Sequence, residues 1–191
     1  MDFWEVVRNR RSCHRFLDDA VEEDKINTIL ECAGFAPSPA NMQPWEFIII
    51  KNKEIKKKIF DSSLRVKTEM ARASGWSWLD RYQLHFLIQA PLIVAVVGDP
   101  LKTGIERWQE GRGEGYQHAC AAAIENMLLA AHALGLGSLW FTIFDKPEVS
   151  KILAIEENKN LIALVCLGYS DDHTPRPKRE SLQEKIIKIL D

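Results

Sequence analysis

The chain has 191 residues, 46% of them hydrophobic, and a formal net charge of -2 at pH 7. That length and apolar content suit one folded domain with a buried core and exclude a disordered chain. The near-neutral balance argues against a nucleic-acid partner, since phosphate backbones require a basic surface.

Phe3, Val6 and Val7 recur at helical spacing and predict a short helix ahead of Arg10 and Arg11. A second helix is predicted over Val21 to Phe35, with Ile26, Ile29, Leu30 and Ala33 on one stripe; Pro37 and Pro39 forbid its continuation. Trp45 to Ile50 is a short apolar, β-branched run, the pattern of a buried strand. A charged helix is predicted from Lys53 to about Ser63, whereas 65–84 gives no definite element despite Gly75, Trp76 and Trp78. Leu92 to Gly98 reads as a second strand closed by Asp99-Pro100, and the Gly- and charge-rich 101–115 as a mobile connection. Tyr116 to Leu134 is predicted as the longest helix, apolar enough to be buried on most sides. Strands follow at Leu139 to Ile143 and Leu161 to Leu167, with a helix from about Pro147 between them and a final amphipathic helix over Ser181 to Leu190. The alternation gives a mixed α and β fold.

No run approaches the roughly 20 apolar residues of a membrane span. Asp2, Glu5 and Arg8 stand where a signal peptide needs an apolar stretch, so a cytoplasmic protein is expected. Cys13, Cys32, Cys120 and Cys166 are widely spaced and lack metal-ligand grouping, which favours isolated buried thiols. No Ser-His-Asp or Cys-His arrangement can be argued; His118 and His132 read as packing or surface residues of the long helix. Gly135 and Gly137 follow a helix, where a dinucleotide phosphate loop follows a strand, so they are expected to end that helix and turn the chain.

Three separated segments carry the functional signal. Arg10-Arg11-Ser12-Cys13-His14-Arg15-Phe16 and Pro177-Lys178-Arg179 offer the cationic and hydroxyl donors that a phosphate takes. Ala36-Pro37-Ser38-Pro39-Ala40-Asn41-Met42-Gln43-Pro44-Trp45 is a rigid polar loop running into a strand. Together with Gly135 to Trp140 and Leu167-Gly168-Tyr169, they resemble the nitroreductase family of flavoproteins, whose motifs read Arg-Arg-Ser-x-Arg-x-Phe and Pro-Ser-x-x-Asn-x-Gln-Pro-Trp.

The resemblance implies an α+β fold: a central, mainly antiparallel sheet flanked by helices, in an intertwined homodimer that exchanges C-terminal arms. It implies one FMN-binding domain over 1–191, with a variable lid-like segment around 65–112. Arg10, Ser12, Lys178 and Arg179 would hold the FMN phosphate and ribityl chain, with Arg11 in the same cofactor-binding segment. Pro37, Ser38 and Asn41 would reach the flavin held mainly by the other protomer, and Gln43 would join that wall. Trp140 and Phe141, with Thr142, would pass the flavin edge, where a backbone N–H can bond N5; the family often has a glycine here and this chain has none.

His14 occupies a position where the family commonly has Arg or Lys. Its ordinary pKa of about 6.5 would let its charge vary near neutrality, with Arg15 as the alternative cation. Trp76 and Trp78 would form an aromatic lid over planar acceptors, or else a packing cluster. The activity implied is hydride transfer from NAD(P)H through flavin N5 to a nitroaromatic or quinone, by ping-pong kinetics. No catalytic side chain is needed, since the flavin carries the chemistry. Two other readings stand beside it: flavin cleavage or reductive dehalogenation, as in some relatives, and a redox-sensing module with little turnover.

Overall fold

The computed structural model describes residues 1–110, 113–172, 174 and 178–190. Strands β1 (Trp45–Ile50), β2 (Leu92–Gly98), β3 (Gly137–Phe141) and β4 (Asn160–Gly168) form one sheet in the order β1-β2-β4-β3. Every pairing is antiparallel, with Phe47 opposite Val96, Val94 opposite Val165 and Leu139 opposite Cys166. All of β2 is buried, because helices cover both sheet faces. A strand covered on both sides needs no polar alternate, which is why Leu92 to Val97 is an unbroken apolar run.

Eight helices complete the described residues: α1 (Phe3–Asn9), α2 (Glu23–Gly34), α3 (Lys53–Ser74), α4 (Ser77–Arg81), α5 (Phe86–Gln89), α6 (Gly115–Ala133), α7 (Lys146–Ile152) and α8 (Leu182–Lys185). On one face α2 and α6 bury Ile26, Ile29, Ala123 and Met127 against Val94, Val96 and Val165. On the other, Ile59 of α3, Phe86 and Leu87 of α5 and Val149 of α7 cover Ile93, Leu139 and Cys166. Burying side chains of this size contributes about 1.5–3 kcal/mol each, so the two layers hold the sheet rigidly under the loops at its edges.

Two helices differ from the sequence expectation. The helix expected to stop near Ser63 continues to Ser74 and ends at Gly75, whose φ of 69° puts it in the left-handed cap conformation. Its buried face consists of Lys56, Ile59, Ser62, Ser63 and Ala71, too polar to produce an apolar stripe. Asn52 starts it by accepting from the Glu54 and Ile55 N–H groups at 2.9 and 3.0 Å. At the C-terminus, the expected ten-residue helix shrinks to α8, and Ile186 already has extended dihedrals. Ile187, Ile189 and Leu190 are exposed. A helix this short is marginal in water when its apolar stripe is left exposed.

The remaining shifts are small: α2 and α6 begin within two residues of expectation, and β3 starts at Gly137 where Leu139 was expected. Within 101–115, expected as a mobile connection, a 3-10 turn spans Gly104–Trp108.

Candidate cofactor site

β3 lies at the sheet edge, and the basic segment docks on its open side. The Cys13 N–H donates to the Ser138 carbonyl at 3.0 Å, and Ser12 and Ser138 form an isolated parallel bridge. Backbone groups of alternate strand residues face the same side, so the Trp140 N–H and carbonyl look out along that edge, beyond the bridge. The Trp140 side chain is half-exposed. Phe141 is buried, its ring 5.2 Å from that of Phe86, and its backbone groups face β4, so at this edge Trp140 and not Phe141 is placed to meet a ligand.

Arg10 and Arg11 are held differently. Arg11 Nη2 donates to Asp172 Oδ1 at 3.0 Å. Arg10 Nε lies 3.8 Å from Glu125 Oε1, too long for a hydrogen bond, which leaves its donors available. Ser12 is exposed.

Asp172 is the hub of this corner and was not singled out from sequence. Besides Arg11 it accepts from the His14 N–H at 2.9 Å, the Thr174 N–H at 3.0 Å and the Thr174 hydroxyl. Burial raises its pKa, but the His14 N–H, the two Thr174 donors and the Arg11 charge outweigh that and hold the carboxyl well below the usual range. The contact links residues 161 positions apart, and no local spacing announces it.

His14 stands with its ring 5.7 Å from both Tyr82 and Phe86, edge to face with each. Burial by these neighbours lowers its pKa; Asp172 opposes the shift and Arg11 adds to it. The shift disfavours the charged imidazolium, so His14 is a weaker cation than the Arg or Lys that the resemblance leads one to expect there. Tyr82 carries the contact outward: its ring is 5.8 Å from Trp78, which lies 6.1 Å from Trp76. The phenol, buried among these rings, has its pKa pushed up to about 12. Trp76 and Trp78 stay exposed at 59% and 45%, so the far end of this aromatic wall is open to solvent.

The Pro37–Gln43 loop is compact and strained. Ala40, Asn41 and Gln43 all have φ near +50°, a region that costs about 1 kcal/mol or more for residues with a side chain. Ser38 Oγ accepts from the Gln43 N–H at 3.0 Å, and Pro37, Asn41 and Gln43 are exposed. Glycines brace the loop from behind. A Cβ on Gly104 would come within 2.6 Å of Pro39 Cβ, and one on Gly115 within 2.9 Å of Pro39 Cγ.

Lys178 and Arg179 are exposed, and among the described residues no hydrogen bond or ion pair joins them to Arg10 or Ser12. Pro177 lies outside the described residues. The structure thus brings Arg10, Arg11, Ser12, His14 and Trp140 together, and connects Trp76 and Trp78 to them through Tyr82. The side-chain hydrogen bonds of the 37–43 loop stay within it, and Gly104 and Gly115 pack against its Pro39.

These residues fit a phosphate-bearing flavin. Arg10 and Ser12 keep donors for an anion. The Ser138 hydroxyl, buried beside the bridge without a hydrogen-bond partner among the described residues, is an orphan polar group. Trp140 offers unspent backbone at the strand edge.

A family model described as the nitroreductase family matches residues 7–169. The chain belongs to that family. It is 31% identical over 173 residues to an Archaeoglobus fulgidus protein provisionally named NADH dehydrogenase/NAD(P)H nitroreductase, covering 87% of this chain and 84% of that one. Its likeness to a 5,6-dimethylbenzimidazole synthase of Rhodospirillum rubrum is 29% over 183 residues, covering 91% of this chain and 84% of the other. Among solved structures, iodotyrosine deiodinase bound to FMN and 3-iodo-L-tyrosine superposes with a TM-score of 0.80 over 94% of this chain and 95% of its own; at 24% identity the likeness is one of fold.

Proposed function

We propose that the chain is an FMN-dependent oxidoreductase that takes hydride from NAD(P)H and passes it to a small, planar, electron-poor acceptor such as a nitroaromatic or quinone. The observation that carries the reading is the docking of Arg10, Ser12 and His14 on the open edge of β3, beside an aromatic wall that ends in exposed tryptophans. Bound FMN would supply the hydride-transfer chemistry between the two substrates. Arg10, Ser12, Lys178 and Arg179 hold its phosphate. Arg11 is spent on Asp172, so its part is to fix the turn that presents its neighbours. The Trp140 backbone faces the flavin edge. The Tyr82, Trp78 and Trp76 rings exclude water and stack on planar substrates. Donor and acceptor use one cavity in turn, which gives ping-pong kinetics.

The protein works as a homodimer in which Pro37, Ser38, Asn41 and Gln43 complete the site of the other protomer. Support comes from the exposure of Pro37, Asn41 and Gln43 on a loop that Gly104 and Gly115 brace from behind. The exposed Leu182, Ile186, Ile187, Ile189 and Leu190 suit an arm that packs on the partner. Co-refolding Arg10→Ala with Asn41→Ala chains tests the composite site: a mixed dimer regains one intact site and tight FMN binding. If the site is built from one chain, no mixture recovers flavin.

A further inference from the structure

A cavity of about 690 Å³ lies at the N-terminal end of α6, between the start of that helix, α7 and the first residues of β4. Tyr116, which lines it, is nine residues from Glu125, or roughly 14 Å along the helix axis. None of the residues assigned above to the flavin lines it.

Its innermost polar group is the Tyr116 hydroxyl. The residue is only 5% exposed, and a Cβ on Gly98 would meet its ring at 2.9 Å, so the ring is pinned against β2. The hydroxyl oxygen accepts from Asn160 Nδ2 at 2.8 Å and Gln117 Nε2 at 3.0 Å. Both bonds come in to the oxygen, and among the described residues no acceptor meets the phenol O–H, which leaves it free to donate to a ligand in the cavity. Apolar walls come from Pro147, Ile155, Leu161 and Ile162. Lys146 and Lys151 stand at the mouth with no ion pair among the described residues, whereas Lys159 is taken up by Glu46 and Glu156.

We propose that this cavity is a second small-molecule site, which binds an organic monocarboxylate with an apolar body. The Tyr116 O–H donates to the carboxylate, Lys146 and Lys151 supply its counter-charge, and the apolar walls take the hydrocarbon. With Lys159 held by Glu46 and Glu156, Lys146 and Lys151 are the cations left to face a ligand, and the nearby Glu157 makes a monoanion a better match than a phosphate dianion.

Calorimetric titration of the purified holoprotein with 2-naphthylacetate tests this, with 2-naphthylacetamide and 2-naphthyl phosphate alongside. Saturable binding of the carboxylate is expected, weakened at least about 10-fold in the amide and in Tyr116→Phe, and about 3-fold or more in Lys151→Gln. The Trp76→Ala, Trp78→Ala double variant should bind it unchanged, and the visible flavin spectrum should not move. The Phe variant keeps the ring against Gly98, and Lys151→Gln alters only an exposed side chain. Absence of saturable binding, equal affinity for the amide, or an unchanged Kd in Tyr116→Phe overturns the proposal. Tighter binding of the phosphate overturns the monocarboxylate assignment. Because this readout does not use flavin turnover, its failure leaves the oxidoreductase reading untouched, and the reverse.

Discussion

Asp172→Asn is the substitution most informative about the cofactor corner. The wild-type carboxylate takes four hydrogen bonds, one from a guanidinium whose side chain is only 21% exposed. Asparagine keeps the shape but loses the charge, and it places an amide N–H₂ where one of the donors must now go unmet. Charge-assisted hydrogen bonds contribute about 1.5–3 kcal/mol each, and breaking a fully buried pair costs about 3–5 kcal/mol. Partial exposure of Arg11 and the retained amide oxygen lower the expected loss to about 2–4 kcal/mol. In a domain of this size that is roughly 4–16 °C in Tm. The sign with pH follows from the depressed carboxyl pKa. Its stabilisation is fully present above the unfolded value near 4 and is lost as the pH falls further. Thermal melts of wild type and variant should therefore differ by a constant amount from pH 5 to 8 and converge below about pH 4. Asp171→Asn, at an exposed neighbour, serves as the control and should shift Tm little. A variant no less stable than that control, or a gap as wide at pH 3 as at pH 7, would refute the hub role.

Gly104→Ala forces a Cβ into Pro39 at a φ of +74° and should cost about 2–4 kcal/mol in urea denaturation, with weaker FMN retention through the displaced loop; a cost under about 0.5 kcal/mol contradicts the brace. His14→Arg replaces a titratable imidazole, whose pKa is lowered by desolvation, by a fixed cation, so flavin potentiometry should give a higher potential at pH 7 and a different dependence of the potential on pH. Identical slopes would dismiss the charge argument. Trp76→Ala with Trp78→Ala should change relative kcat/KM among planar acceptors by about 2- to 10-fold, and unchanged ratios would make the pair a packing cluster only.

Strands were legible because they are short, apolar and β-branched: Leu92 to Gly98 is buried throughout, whereas Trp45 to Ile50, expected as a buried strand, is an edge strand buried only at Trp45 and Ile50. The second half of α3 was not, since its buried face uses Lys56, Ser62 and Ser63. Lys56 reaches the Ala90 carbonyl at 2.8 Å and Ser63 the Ile59 carbonyl, bonds that make polar residues tolerable inside and erase the stripe. The C-terminal segment misled in the other direction: its apolar pattern is real, but Ile186, Ile187, Ile189 and Leu190 are exposed and the helix stops at Lys185. In the site, motif chemistry picked out Arg10, Ser12 and His14, while their arrangement depends on Asp172 and Ser138, which only tertiary pairing brings near. The protonation state of His14 likewise follows from Tyr82 and Phe86, nearly seventy residues away or more.

Anaerobic stopped-flow of the protein loaded with FMN, following oxidised-flavin absorbance after mixing with NADH or NADPH, tests the central claim most directly. The account predicts rapid bleaching by at least one nicotinamide and recovery of colour on adding a quinone or nitroaromatic, with iodotyrosine as the comparison acceptor. Protein that retains no FMN after reconstitution, or bound flavin that neither nicotinamide reduces, would contradict it.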